Sequence, residues 1–209
     1  MNKTLLTIFC LFATGFVFGQ TISYGIKGGI NFSSQTTIIT PIPTKTGSIT
    51  GFNIGGLVEF EYPQYSIQSG IFYTTKGEKI SSQFYGFNGN YAGPYTANLK
   101  LTYFEVPINF LYNVKLSNKL SLHAGGGPYI AFEGPSNVTQ TSNPVNNQPR
   151  TEAISEKNPD FGLNFLVGFK LKNRVIADAQ YGIGLANLAA STATERNRVI
   201  SFSVGYMFK

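Results

Sequence analysis

Two-residue alternation of apolar and polar side chains runs through most of the chain after Gln20, and it leaves few folds open. The last ten residues show it most plainly. Ile200, Phe202, Val204, Tyr206 and Phe208 share one face; Ser201, Ser203, Gly205, Met207 and Lys209 share the other. Near the start, Ile22, Tyr24, Ile26, Ile30 and Phe32 alternate with Ser23, Gly25, Lys27, Gly29 and Asn31. Successive side chains of a strand point to opposite sides, so each run predicts a strand with one apolar and one polar face. Further runs near 50–62, 65–76, 98–114, 119–133, 161–171 and 174–187 bring the expected number to eight.

An even number suits a closed up-and-down barrel, and the connections point the same way. Pro63-Gln64, the stretch 115–119 and Lys172-Asn173-Arg174 are short, whereas 33–49, 77–97, 134–160 and 188–195 are long and polar. Short and long alternate strictly, as they do when turns on one side of a membrane are tight and loops on the other are long. Both termini are then expected on the short-turn, periplasmic side. The third long stretch is rich in Asn, Ser, Pro and Thr and reads as a mobile, exposed loop.

Pairing across the short turns checks the faces. Phe60 is expected opposite Ile67, Glu59 opposite Gln68, Phe169 opposite Ala177 and Gly168 opposite Asp178. Across 115–119, Val114 should face Leu120 and Tyr112 should face Leu122. A slip of one residue would put charges on the apolar face. That face is aromatic, with Tyr24, Tyr62, Tyr65, Tyr73, Tyr112, Tyr181 and Tyr206 toward strand ends, where interfacial girdles sit. The other face mixes Gly, Ser, Asn and single charges, which suits a narrow polar lumen better than the charged exterior of a soluble barrel.

The first nineteen residues stand apart. Lys3 precedes an apolar run from Leu5 to Phe18, and Val17 and Gly19 occupy the −3 and −1 positions of a cleavage site, giving a signal peptide over 1–19 and a barrel domain over 20–209. Phe9 precedes Cys10, the wrong neighbour for lipidation, and cleavage removes the one cysteine. Disulfides and cysteine-based metal sites are thereby excluded from the mature part. Charged residues make up 12% and the formal net charge is +6, thinly spread, so nucleic acid is not an expected partner.

The segment YFEVPINFLYNV (103–114) resembles the strand motif of the PorT-like outer membrane protein β-barrel domain family, with Phe104 before Glu105, Val106 and Pro107. YGIKGGINFS (24–33), LSLHAGGGPYIAF (120–132), FGLNFLVGFKL (161–171), ADAQYGIGLANL (177–188) and ISFSVGYMFK (200–209) extend the likeness over the mature chain. The resemblance implies an all-β fold: an eight-stranded antiparallel up-and-down transmembrane β-barrel of OmpA/OmpX-like architecture, integral to a bacterial outer membrane after Sec export. The expected partners are outer-membrane lipids, with the barrel assembly machinery and periplasmic chaperones during biogenesis, and a surface or secretion-apparatus protein is a candidate further partner; the secretion and gliding role of the family's namesake is not carried over.

Lys27, Glu59, Gln68, Glu105, His123, Lys170 and Asp178 share the inward parity and are expected to form a paired polar network, since unpaired charges there would be costly. Glu105 is expected to accept a hydrogen bond from Tyr129. Pro107 cannot donate to a ladder and marks a bulge or interruption. With a single histidine, His123, and no nucleophile elbow, phosphate loop or metal motif, neither catalytic nor metal residues are assigned and no cofactor is expected. The aromatic stretch containing Tyr85, Phe87, Tyr91 and Tyr95 is a candidate loop epitope. The expected role is a non-enzymatic envelope or surface protein with a filled lumen. A secretion or gliding subunit is the alternative, with a lipid-modifying enzyme or a small-solute channel less favoured.

Overall fold

The computed structural model describes residues 21–39, 42–85, 90–142, 149–154, 159–172, 174–189 and 194–208; the leader and Phe87 lie outside the described residues. Its strands are β1 (Thr21–Ile39), β2 (Ile42–Lys45), β3 (Ile49–Glu61), β4 (Tyr65–Tyr85), β5 (Tyr91–Lys115) and β6 (Leu120–Glu133). After these come β7 (Ser136–Ser142), β8 (Arg150–Ile154), β9 (Asp160–Leu171), β10 (Val175–Gly184) and β11 (Thr194–Met207). Every pairing is antiparallel. Eight strands close a ring in the order β1, β3, β4, β5, β6, β9, β10, β11, with β1 against β11 and β4 against β5.

The ladders set the size of the barrel. From Phe32 on β1, partners run through Ile200, Tyr181, Phe165, Gly126, Phe110, Ile67 and Phe60, returning to β1 at Ile22. The return is displaced by ten residues. With strands ~4.8 Å apart and ~3.3 Å per residue, that stagger implies a tilt of roughly 40° and a backbone radius of roughly 8 Å. Such a bore is filled by the side chains that point into it. The outward row from Ile22 to Phe32 then rises roughly 25 Å along the axis, the height of a lipid-facing band.

Alternation survives into the structure as expected. Ile22, Tyr24, Ile26, Ile30 and Phe32 are outward and exposed, while Ser23, Lys27, Asn31 and Ser33 are buried inside. At the end carrying Thr21 and Phe208, Tyr24 and Tyr206 each pack against Phe208, and Tyr62 stacks on Tyr65 with centroids 4.5 Å apart. Toward the other end, Tyr73 meets both Phe52 and Phe104 with centroids 5.7 Å apart. Aromatic rings thus flank the apolar band on both sides.

Three expectations about connections need correcting. The first two long stretches are largely strand: β1 continues to Ile39 and folds onto β2, and β4 and β5 pair as far as Tyr85 and Tyr91. β7 and β8, inside the stretch read as a loop, pair with each other and add to β5. Polar composition suggested loops, but hairpins standing in water can carry Ser, Thr and Asn on both faces while their backbones pair. The register across 115–119 is two residues away from the expected one, with Val114 opposite Leu122 and Tyr112 opposite Ala124. The turn is wider, closed by Leu116 and Ser117 N–H groups donating to Leu120 O. A shift of two preserves the faces, so the barrel tolerates it. At Pro107 the ladders are interrupted without a bulge: pairing resumes in the same register on both sides. The expected pairs Phe60–Ile67, Glu59–Gln68, Phe169–Ala177 and Gly168–Asp178 are all present.

Candidate functional site

Inward parity brings polar side chains from all eight ring strands into one narrow column. Nearest the termini, Lys170 bridges Glu59 at 3.3 Å and also contacts Glu61, which accepts from Ser23 Oγ at 2.9 Å. Above it lie Leu57, Phe72, Ile176 and Met207 as an apolar cluster. Lys27 Nζ then donates to Asp178 Oδ2 at 2.9 Å and Gln68 Oε1 at 3.1 Å, and it lies over the Phe72 ring. His123 Nε2 meets the other oxygen, Asp178 Oδ1, at 2.6 Å.

Glycine makes this layer possible. A Cβ on Gly168 would sit 2.4 Å from Asp178 Oδ1 and 2.6 Å from His123 Nε2, so any side chain there would displace the pair.

A neutral layer follows. Asn31 Nδ2 donates to Thr74 Oγ1 at 2.8 Å, and its Oδ1 accepts from Asn53 at 2.7 Å and Ser201 at 2.8 Å. Beside it is a cavity of about 40 Å³ reached by Lys27, Lys76, Asn109 and Asn164. Asn109 Oδ1 is buried without a partner among the described residues, and the cavity has room for a water that would satisfy it.

A third ionic group lies toward the hairpin end. Lys76 Nζ bridges Glu105 at 2.8 Å and Asp160 at 3.1 Å, with the Tyr129 ring 4.2 Å from the ammonium. Tyr129 OH donates to Asp160 at 3.2 Å, as does Asn197 Nδ2 at 3.0 Å. Beyond this layer Leu99, Leu101, Tyr103, Tyr129 and Ala131 form an apolar plug, against which Val138 and Ile154 pack. Ala186, Leu188 and Ala189, just after β10, are buried at the same end.

The expected network is therefore split into three groups. Lys27, Gln68, His123 and Asp178 come together, and Lys170 with Glu59 forms a neighbouring pair. Glu105 stands apart with Lys76 and Asp160, and the bond expected from Tyr129 goes to Asp160 instead. Glu105 lies opposite Ala131, and Tyr129 lies opposite Pro107. The sequence reading missed Lys76, the last residue of the strand expected over 65–76, and Asp160, the last residue of the stretch 134–160 taken as a loop. Extending the parity of Phe72 and Thr74 by one more step would have found Lys76, and the parity of Gly162 and Asn164 would have found Asp160.

The described part of the candidate epitope is paired strand: Tyr85 pairs with Tyr91, Ser82 pairs with Tyr95, and Tyr91 is 58% exposed. The strands continue here because the two polar segments share a ladder. Among the described residues no group of three or more His, Cys, Asp or Glu side chains is placed to hold a metal ion.

Among solved structures, three similar chains are Ail, the attachment invasion locus protein of Yersinia pestis, Neisserial surface protein A, and OprG from Pseudomonas aeruginosa. Ail is 12% identical, with a TM-score of 0.43, covering 90% of this chain and 99% of its own. Neisserial surface protein A is 12% identical, with a TM-score of 0.48 and coverage of 90% and 99%. OprG is 11% identical, with a TM-score of 0.49 and coverage of 90% and 97%. No curated protein matches the chain. The sequence itself matches the family described as outer membrane protein beta-barrel domain over residues 18–190, and the chain belongs to that family.

Proposed function

We propose that this protein is a non-enzymatic surface barrel, oriented with its termini in the periplasm and its long hairpins outside the cell. The observation that carries this reading is the filled bore: three ionic groups, an amide layer and an apolar plug occupy it. Carrying a solute through would require breaking buried ion pairs, each costing about 3–5 kcal/mol when one partner is removed. The rigid barrel instead serves as a post. From Tyr73 and Phe104 to the tip at Tyr85 and Tyr91, β4 and β5 extend about 40 Å of paired strand beyond the girdle.

Planar-bilayer recordings on the refolded full chain test the sealed lumen. Negligible steady conductance is the expected result, and a large stable pore would overturn the reading. A partner-binding role, including a place in a secretion apparatus, is favoured by β8. Among the described residues it pairs with β7 alone, leaving one edge to which a partner strand can add. Co-purification in mild detergent of the full chain and of a variant lacking the β7–β8 hairpin tests this second role.

A further inference from the structure

One side of the barrel wall departs from the even apolar band. Across β9, β10, β11 and β1 the outward positions Gly28, Ala177 and Ala179 are small, while Phe169, Phe202 and Val204 stand beside them. Ala177 is paired with both Phe169 and Val204, and Ala179 with Phe202, so floor and walls belong to one continuous patch. The result is an apolar depression of about 580 Å³ on the lipid-facing surface.

The same strand carries a charged feature above that depression. Outward parity along β11 runs Arg196, Arg198, Ile200, Phe202, Val204. Arg198 Nη1 donates to Gly184 O and to Asn197 O, both at 3.0 Å, which holds its guanidinium against the wall just beyond Ile200. Among the described residues no carboxylate shares the outward face of β9, β10, β11 or β1. Glu195 alternates with Arg196 and so takes the opposite face. Two guanidinium groups without a facing acid, at the edge of an apolar band, complement a phosphate. From Arg198 to the walls of the depression at Phe202 and Val204 the strand covers roughly 13–20 Å, comparable with the ~15 Å from interface to midplane that an extended acyl chain crosses.

We infer that this face is a lipid-binding site, taking a phosphorylated glycolipid of the outer leaflet with its phosphate on Arg196 and Arg198 and one acyl chain in the Gly28–Ala177–Ala179 depression. The assignment to the outer leaflet rests on the orientation proposed above. Labelling of a cysteine placed at exposed Ser81 on intact cells reads that orientation separately, so the two failures are distinguishable.

The test is native mass spectrometry of the full chain released from phosphatidylcholine bilayers doped equally with phosphorylated lipid A and phosphatidylglycerol. Wild-type protein is expected to retain one lipid A. Arg196→Gln with Arg198→Gln should lower that retention about tenfold, as loss of charge-assisted bonds to phosphate implies. Ala179→Leu, which fills the depression and leaves the charges intact, should lower it several-fold. Equal retention by wild type and both variants overturns the site. Preferential retention of phosphatidylglycerol overturns the choice of lipid, and a dimer lost on Ala179→Leu assigns the depression to a second copy of the chain instead.

Discussion

Removing Lys27 tests the reading of the lumen as a set of mutually dependent charges. Its ammonium is buried, 2.9 Å from Asp178, and it also donates to Gln68. Lys27→Met keeps an unbranched stem beside Phe72 but leaves Asp178 with only His123 as a close partner. Stripping one member from a buried pair typically costs about 3–5 kcal/mol, because the remaining charge stays desolvated. Asp178→Asn should cost a similar amount by isolating Lys27. If the two charges compensate each other, the double variant is less destabilised than the sum of the singles by about 2–3 kcal/mol. Urea unfolding from lipid vesicles, followed by far-UV circular dichroism since the chain has no tryptophan, supplies all four free energies. Additive losses, or singles within about 0.5 kcal/mol of wild type, would refute the claim that this layer is an interdependent network.

The outward face yields a second expectation. Ile71 is 64% exposed and opposite Gly56 in the ladder, near the middle of the band, so Ile71→Lys should destabilise the vesicle-inserted barrel by about 2–4 kcal/mol. An unchanged urea midpoint would argue that lipid does not contact this face. Above the girdle, burial raises the Glu78 carboxyl from its ordinary value, the nearby Glu195 adds to the rise, and a hydrogen bond with Thr46 partly offsets it. The folded state therefore holds this proton more tightly than the unfolded chain, and stability falls as pH rises from the ordinary carboxylate range through the raised value. Hydrogen exchange of β3 and β4 amides near Gly47 and Lys79 should show slower opening at pH 5 than at pH 7.5. Glu78→Gln should remove that difference, and a difference that persists in the variant points to another group.

How much of this was legible in advance follows from the range of each interaction. The ring of eight, the assignment of faces, the alternation of short and long connections and most of the inward charges follow from two-residue periodicity. A strand fixes the side on which every residue stands, and a closed sheet has only an inside and an outside. Lys27, Gln68, His123 and Asp178 were found together because parity alone placed them inside. What lay beyond the lipid band was misread as loop, because there both faces meet water and the apolar–polar contrast that marks a strand is gone. β7 exists through pairing with β5, a contact made about forty residues along the chain, and β8 through pairing with β7. The partition of the lumen into separate ionic layers was likewise decided only in three dimensions. A stagger of ten residues around the ring sets which inward side chains share a height, placing Glu105 beside Lys76 and Asp160 rather than with the charges nearer the termini. Sequence determined which residues point inward; the shear of the closed barrel decided which of them meet.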